Sequence, residues 1–251
     1  LTASKDGEES SAVNVTVSDA VIDSIQVTPS AVKVLKGQTQ QLTATATLSD
    51  STSSDISSSV TWTSADTNTA TVTPAGLLSA VAGGNTTLTA SKDNITSDTV
   101  NVNICANLAG ECIDIFDTGT GKLFTNSPSV AYLDSIGGSA HDDTYTELGN
   151  YGPTGDFYLF SWTNANVLCE TYNSHSLGGR TNWSLATKDE LQTELYGVSY
   201  NMSTARGWPT YYYYFSATPD GSSYDSVSLN NGSISFSIQD YTTYVSCVSN
   251  P

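Results

Sequence analysis

The residues best able to do chemistry in this chain are acids, and few of them stand beside a partner. Phe116–Gly121, FDTGTG, sets a carboxylate at Asp117 next to a glycine-rich turn. Acid catalysis of that kind needs two carboxylates sharing a proton, and so a second Asp-Thr-Gly or Asp-Ser-Gly. The chain has neither, and a turn between two strands explains the run equally well. Gly119-Thr120-Gly121-Lys122 is too short to cradle a phosphate, and Leu123 stands where a Ser or Thr would follow the lysine. Gly137-Gly138-Ser139-Ala140-His141 lacks the second glycine of a nucleophile elbow. His141-Asp142-Asp143 pairs one imidazole with two acids in a polar loop, a set more often solvated than metal-bound. His175 follows a helical stretch, where a cation suits the C-terminal dipole. No motif links two candidate catalytic groups, so the expectation is a protein that is not an enzyme and uses no metal or cofactor.

Surface chemistry is what remains. Trp208-Pro209-Thr210-Tyr211-Tyr212-Tyr213-Tyr214-Phe215 is the densest aromatic run. Alternate side chains of a strand face opposite ways, so two of the four tyrosines are expected in the core and two outside. Tyr and Trp combine an apolar body with a polar tip and are favoured at protein interfaces. Trp208, Tyr211, Tyr212, Tyr213 and Tyr214 are therefore candidate contact residues, joined by the loop or near-loop acids Asp142, Asp143, Asp220 and Asp225. The aromatic residues could equally stack on a sugar. Trp183 reads as core, between polar neighbours just before a capped helix.

The elements that position these residues are β-rich. The chain has 251 residues, 38% of them hydrophobic, with 14 Tyr and 4 Trp, enough apolar surface for folded domains. Its 25 acids against 8 bases give a net charge of −17, which repels nucleic acid and anionic lipid and keeps a protein soluble. No apolar run reaches the roughly 20 residues of a membrane helix. Lys5, Asp6, Glu8 and Glu9 exclude a signal peptide at the start, so any export signal and anchor are expected outside this chain. The cysteines, Cys105, Cys112, Cys169 and Cys247, form no CxxC pair, which disfavours zinc. Four thiols allow three pairings. Cys105–Cys112 would close a small loop; Cys169–Cys247 would tie a mid-chain segment to the C-terminal end. Paired cysteines imply an oxidising compartment.

LTASKD occurs at Leu1–Asp6 and again at Leu88–Asp93, and VNV at Val13–Val15 returns at Val100–Val102. A period this long marks tandem domains. One whole unit spans residues 20–104, residues 1–19 match the end of a preceding unit, and residues 105–251 form a different domain. The first segment, a lone hairpin, is expected to be disordered unless it pairs with something else.

In the whole unit, Leu42, Ala44, Ala46 and Leu48 alternate with threonines, Val60 shares a face with Trp62, and Val32 with Val34. Turn-formers break the strands about every ten residues, which implies a β-sandwich with Trp62 packed in a core that lacks a bridging disulfide. IDSIQVTPSAVKVLKGQTQQLTATAT and VTWTSADTNTATVTPAGLLSAVAGGNTTLTAS resemble a bacterial immunoglobulin-like domain of the second group. Such domains usually form stalks of surface adhesins.

After Cys105, Thr163–Tyr172 reads as a helix burying Ala165, Leu168, Cys169 and Tyr172. Thr187 and Glu190 form a capping box for a second helix, which Gly197 should stop. Strands follow at Tyr211–Thr218, Ser223–Leu229, Ser233–Ile238 and Thr243–Ser249, with a turn at Asn230-Asn231-Gly232. The fold class is thus mixed: an all-β immunoglobulin-like sandwich, then an α+β domain. That order, with a helix cysteine bridged to the final strand, and the run NWSLATKDELQTELY, resemble the C-type lectin-like tip of the intimin and invasin family. The resemblance implies an extracellular tip on a bacterial surface, its outer-membrane anchor elsewhere. It implies a monomeric passenger that binds a host cell-surface or secreted protein: an integrin, an immunoglobulin or a bacterial effector receptor. The Glu-Pro-Asn, Gln-Pro-Asp and Trp-Asn-Asp tripeptides of calcium-dependent lectins are missing, so calcium-independent binding is expected.

Overall fold

The computed structural model describes residues 2–12 and 19–251. Two apolar cores divide it. The first runs from Ile25 to Ile104 and joins Leu42, Ala44, Ala46, Leu78, Leu88 and Val102, all nearly or fully buried. One sheet of the sandwich orders strands Ile95–Thr96, Gly84–Lys92, Val100–Cys105 and Ala31–Leu35, with Thr61–Ser64 on the other side of Gly84–Lys92. The facing strands are Ile22–Thr28, Thr43–Leu48 and Ser53–Asp55, with Thr39–Gln41, Leu77–Ala80 and Ala70–Val72 completing the layer. Period-two alternation builds it: along Thr43–Leu48 the alanines point inward and the threonines remain more exposed. Trp62 is half-buried against this core, and its indole N–H donates to the Ser57 carbonyl at 2.9 Å. Most strand pairs are antiparallel, but Ala31–Leu35 lies parallel to Val100–Cys105.

The repeated hexapeptide has a structural meaning. Ser4 pairs with Glu9 and Lys5 with Glu8; Ser91 pairs with Thr96 and Lys92 with Ile95, the same register 87 residues on. Asp6-Gly7 and Asp93-Asn94 all have positive φ, between 52° and 88°, as a two-residue type I′ hairpin turn requires. The expected disorder of residues 1–19 is therefore corrected for Ser4–Glu9, which closes a hairpin of its own because its turn supplies the needed twist. The VNV copy at Val13–Val15 lies outside the described residues.

The second core spans Leu108 to Val248 in two adjoining clusters. Its central sheet orders strands Ile115–Asp117, Leu123–Thr125, Cys247–Ser249 and Trp183–Leu185, so the beginning and end of this region lie side by side. Helix Trp162–Ser174 covers the sheet, capped by the Ser161 side chain, and buries Ala165, Leu168, Cys169 and Tyr172. Cys169 is bridged to Cys247, and Cys105 to Cys112. The capping box forms: Glu190 accepts from the Thr187 N–H at 2.9 Å, and Thr187 accepts from the Glu190 N–H at 3.3 Å. The helix does not stop at Gly197. It winds as a π-helix over Glu190–Tyr196 and continues through Gly197–Ser199, with helical backbone at Gly197. A separate antiparallel sheet of Tyr214–Asp220, Ser223–Val227 and Ile234–Ser237 packs beside it. FDTGTG is the start of a hairpin turn, with Gly119 N–H donating to the Asp117 carboxylate at 2.7 Å.

The two cores meet closely. Leu35 packs on the second core, and Lys33 reaches Glu111 at 2.9 Å and the Ser135 hydroxyl at 3.2 Å. Among the described residues no helix is long and apolar enough to cross a membrane.

Candidate receptor-binding face

Two buried carboxylates set the geometry of the aromatic run. Asp114 accepts Nε and Nη2 of Arg206 at 2.5 and 2.6 Å and the Trp208 indole N–H at 2.7 Å. Trp208 is fully buried by this bond. Its place among the candidate contact residues is therefore corrected: the indole is an anchor, not a stacking platform.

From that anchor the chain is held away from the sheet. Thr210 N–H and hydroxyl both donate to the Tyr151 carbonyl, at 2.5 and 2.9 Å. Tyr211 N–H donates to Glu147 Oε1 at 3.1 Å, and the Tyr244 hydroxyl donates to the same oxygen at 3.0 Å. These backbone donors are spent before a ladder can form, so the strand starts at Tyr214 rather than Tyr211. The expected two-in, two-out alternation fails for that reason. Tyr214 is fully buried, its hydroxyl donating to the Pro209 carbonyl at 2.7 Å, and it is withdrawn as a contact residue. Tyr212 and Tyr213 are half-buried and Tyr211 is exposed.

Glu147 is itself buried, and its partners are neutral. Burial pushes its carboxyl above the usual range, against the hydrogen bonds from Tyr211, Tyr244 and Thr210 that lower it. A carboxyl whose pKa is raised on folding stabilises most below its unfolded value, near 4.5, and that contribution is lost as pH climbs through the raised value. Glu147→Gln cannot ionise. Its melting temperature relative to the parent is expected to rise as pH climbs from about 4.5 through the raised value and to level off above it, in paired thermal scans. A difference that stays flat with pH contradicts a raised carboxyl.

Above Glu147 the tyrosines pack on one another. Tyr145 and Tyr211 stack at 4.5 Å between centroids, and Tyr212 meets Tyr145 edge-on at 5.0 Å. Beside them opens a groove of about 700 Å³ lined by Tyr211, Tyr212, Tyr213, Phe236, Ile238 and Tyr241 together with the exposed Ser235; Ser226, Ser237 and Thr243 border it but are buried, Ser237 donating to the Ser226 hydroxyl and Thr243 to the Tyr244 carbonyl. Tyr211, Phe236, Ile238 and Tyr241 are 51, 67, 60 and 53% exposed.

The four acids divide. Asp142 accepts the Ser161 N–H at 2.6 Å, at the start of helix Trp162–Ser174. Burial raises its carboxyl, but this bond and those from Asn164 and the Ser161 hydroxyl prevail and leave it lowered. Asp225 is only 13% exposed and pairs with Lys188 at 3.0 Å. Asp143 and Asp220 are exposed, Asp143 near enough to the groove to act on the Tyr212 hydroxyl. His141 stacks on Tyr158 at 3.9 Å. The sequence reading missed Phe236, Ile238, Tyr241, Glu147 and Asp114. Asp114 left one trace, a lone charge inside Ile113-Asp114-Ile115; Glu147 left none.

An immunoglobulin-type sandwich leading into a disulfide-braced α+β domain defines the class by fold: a β-sandwich unit joined to an α+β unit. Residues 21–103 match the family model for the bacterial Ig-like domain (group 2), and residues 139–248 match the model described as an adhesion domain. The two matches together set a bacterial Ig-like unit ahead of an adhesion domain in one chain. It is 44% identical over 91 residues to ice-binding protein 1 of Shewanella frigidimarina (strain NCIMB 400), a stretch covering 36% of this chain. The chain thus spans only 10% of that curated relative. Among solved structures it is similar to the adhesin InvE of Yersinia pseudotuberculosis, at 14% identity over 90% of this chain and 97% of that one, with a TM-score of 0.30. It is also similar to invasin, a bacterial integrin-binding protein, at 12% identity over 91% of this chain and 39% of that one, TM-score 0.30.

Proposed function

We propose that residues 20–104 are a stalk unit, and that residues 105–251 are the tip of a bacterial surface adhesin that docks a host protein receptor without calcium and without catalysis. The tip stands outside the cell and the outer-membrane anchor belongs to another part of the protein. The observation that carries this reading is the concentration of exposed Tyr211, Phe236, Ile238 and Tyr241 around one groove. Exposed apolar side chains scattered singly need no explanation, whereas a contiguous group of large rings marks an interaction surface. Asp143 at its margin is the remaining acid candidate, with Asp220 further off on its own hairpin. Calcium independence rests on Asp142 and Asp225 being engaged within the protein.

The test is capture of host membrane and serum proteins on the immobilised chain, followed by measured affinity for the captured receptor. A Tyr211→Ala/Phe236→Ala/Tyr241→Ala variant should bind at least about tenfold more weakly, each ring contributing on the order of 1 kcal/mol or more. Its melting temperature should fall only slightly, from the lost Tyr211 stack on Tyr145, and chelator should have no effect. Full binding by the triple variant contradicts the reading. A second reading, a calcium-independent carbohydrate module, draws on the exposed rings and the exposed Ser235 beside them. Glycan-array binding lost in Tyr241→Ala would favour it.

A further inference from the structure

Strand Ile234–Ser237 is the outer strand of its sheet, hydrogen-bonded on one side to Ser223–Val227. Proteins usually blunt such an edge with Lys, Pro, a bulge or a covering segment, because open N–H and C=O groups template another strand. The sheet's opposite outer strand is blunted in this way: Tyr214–Asp220 carries Pro219, its register shifts between Phe215 and Pro219, and Tyr214 bridges Tyr244. Ile234–Ser237 has none of these devices. Its register runs unbroken from Val227↔Ile234 to Tyr224↔Ser237, and the segment Ile234-Ser235-Phe236-Ser237-Ile238 holds no charge. Its apolar set also faces outward: Ile234, Phe236 and Ile238 are 45, 67 and 60% exposed, Ser235 between them is exposed as well, and Ser237 is buried. A strand that faces solvent with its apolar set and leaves its edge open is built to be completed.

We infer that this edge is a strand-addition site, and that its occupant is a basic, extended segment of the partner protein. Charge selects the occupant. The chain carries −17, Asp240 and Asp143 are exposed beside the groove, and no Lys or Arg lines it. A second copy of this chain would bring like charges together, whereas a segment alternating Lys or Arg with apolar residues matches both the margin and the stripe. The added strand hydrogen-bonds along Ile234–Ser237 and lays its apolar side chains beside Phe236. The inference rests on the receptor-binding reading and names the partner's chemistry.

Hydrogen exchange on the intact chain tests it, with a synthetic peptide alternating Lys with Val or Ile as the probe. Backbone amides of residues 234–238 should exchange at least about tenfold more slowly in its presence. The same peptide N-methylated at every residue keeps its side chains but loses the donors of both edges, and should give no protection, as should a Glu-for-Lys peptide. Phe236→Lys should abolish protection while leaving the melting temperature unchanged, since Phe236 is on the surface. Equal protection by the N-methylated or acidic peptide overturns the inference, as does no protection by the basic one. A dimer in sedimentation that Phe236→Lys dissolves also overturns it, in favour of a second copy. If Phe236→Lys loses the peptide yet binds the captured host receptor undiminished, strand addition fails as the receptor's mode while the adhesin reading stands.

Discussion

A Cys169→Ala/Cys247→Ala chain is expected to lose the cooperative unfolding transition of residues 105–251 at 37 °C, while residues 20–104 keep their melting temperature. The bridge joins helix Trp162–Ser174 to the strand that lies between Leu123–Thr125 and Trp183–Leu185, and it closes a span of 78 residues. Closing a loop of that length removes about 4.5 kcal/mol of chain entropy from the unfolded state. A whole domain retains only about 5–15 kcal/mol. Cys169 and Cys247 are buried among Leu168, Trp183 and Leu185, so their loss also loosens the packing of helix on sheet. The sandwich core has no bridge within it; its one cysteine, Cys105, pairs forward to Cys112. Calorimetry with and without reductant is the measurement. Two transitions that fall together, or neither falling, would contradict the assignment of the bridge's effect to one unit.

The second large effect belongs to Asp114→Ala. Removing this carboxylate leaves the Arg206 guanidinium and the buried Trp208 N–H without their acceptor. Breaking a buried ion pair from one side costs about 3–5 kcal/mol. The guanidinium also lies 4.7 Å over the Phe116 ring, so its displacement disturbs a second contact. Trp208 is the anchor from which the segment to Tyr211 is strung, and the variant should weaken receptor capture as well as stability. Urea titration followed by tryptophan fluorescence measures the first effect. A loss under about 1 kcal/mol, no more than an ordinary surface ion pair contributes, would mean that the network is not what holds Trp208.

The sandwich was largely legible because its signals are local. Alternation along Thr43–Leu48 chose the buried face, and turn-formers about every ten residues bounded the strands. The helix at Trp162–Ser174 and the Thr187–Glu190 capping box were equally local. The aromatic run was misread because its fate depends on distant groups. Asp114 lies 94 residues before Trp208, and Glu147 lies 64 before Tyr211. Neither separation leaves a pattern in the sequence. The stripe at Ile234–Ile238 failed differently: its alternation was read correctly as a strand, but periodicity does not say which of two faces is dry.

The parallel pairing of Ala31–Leu35 with Val100–Cys105 sets how the sandwich answers a pull along the chain. Tension applied at Ala31 and at Cys105 would pull these two strands along their length in opposite directions. Asn101↔Ala31 through Cys105↔Leu35 then sit in shear, their hydrogen bonds bearing the force side by side rather than opening one after another like a zip. Cys105, the last residue of the pulled strand, is clamped to Cys112, so the load enters the tip at a covalent staple and not through a free loop. Between Ala31 and Cys105 the sandwich therefore resists a lengthwise pull by shear of five residue pairs and not by peeling.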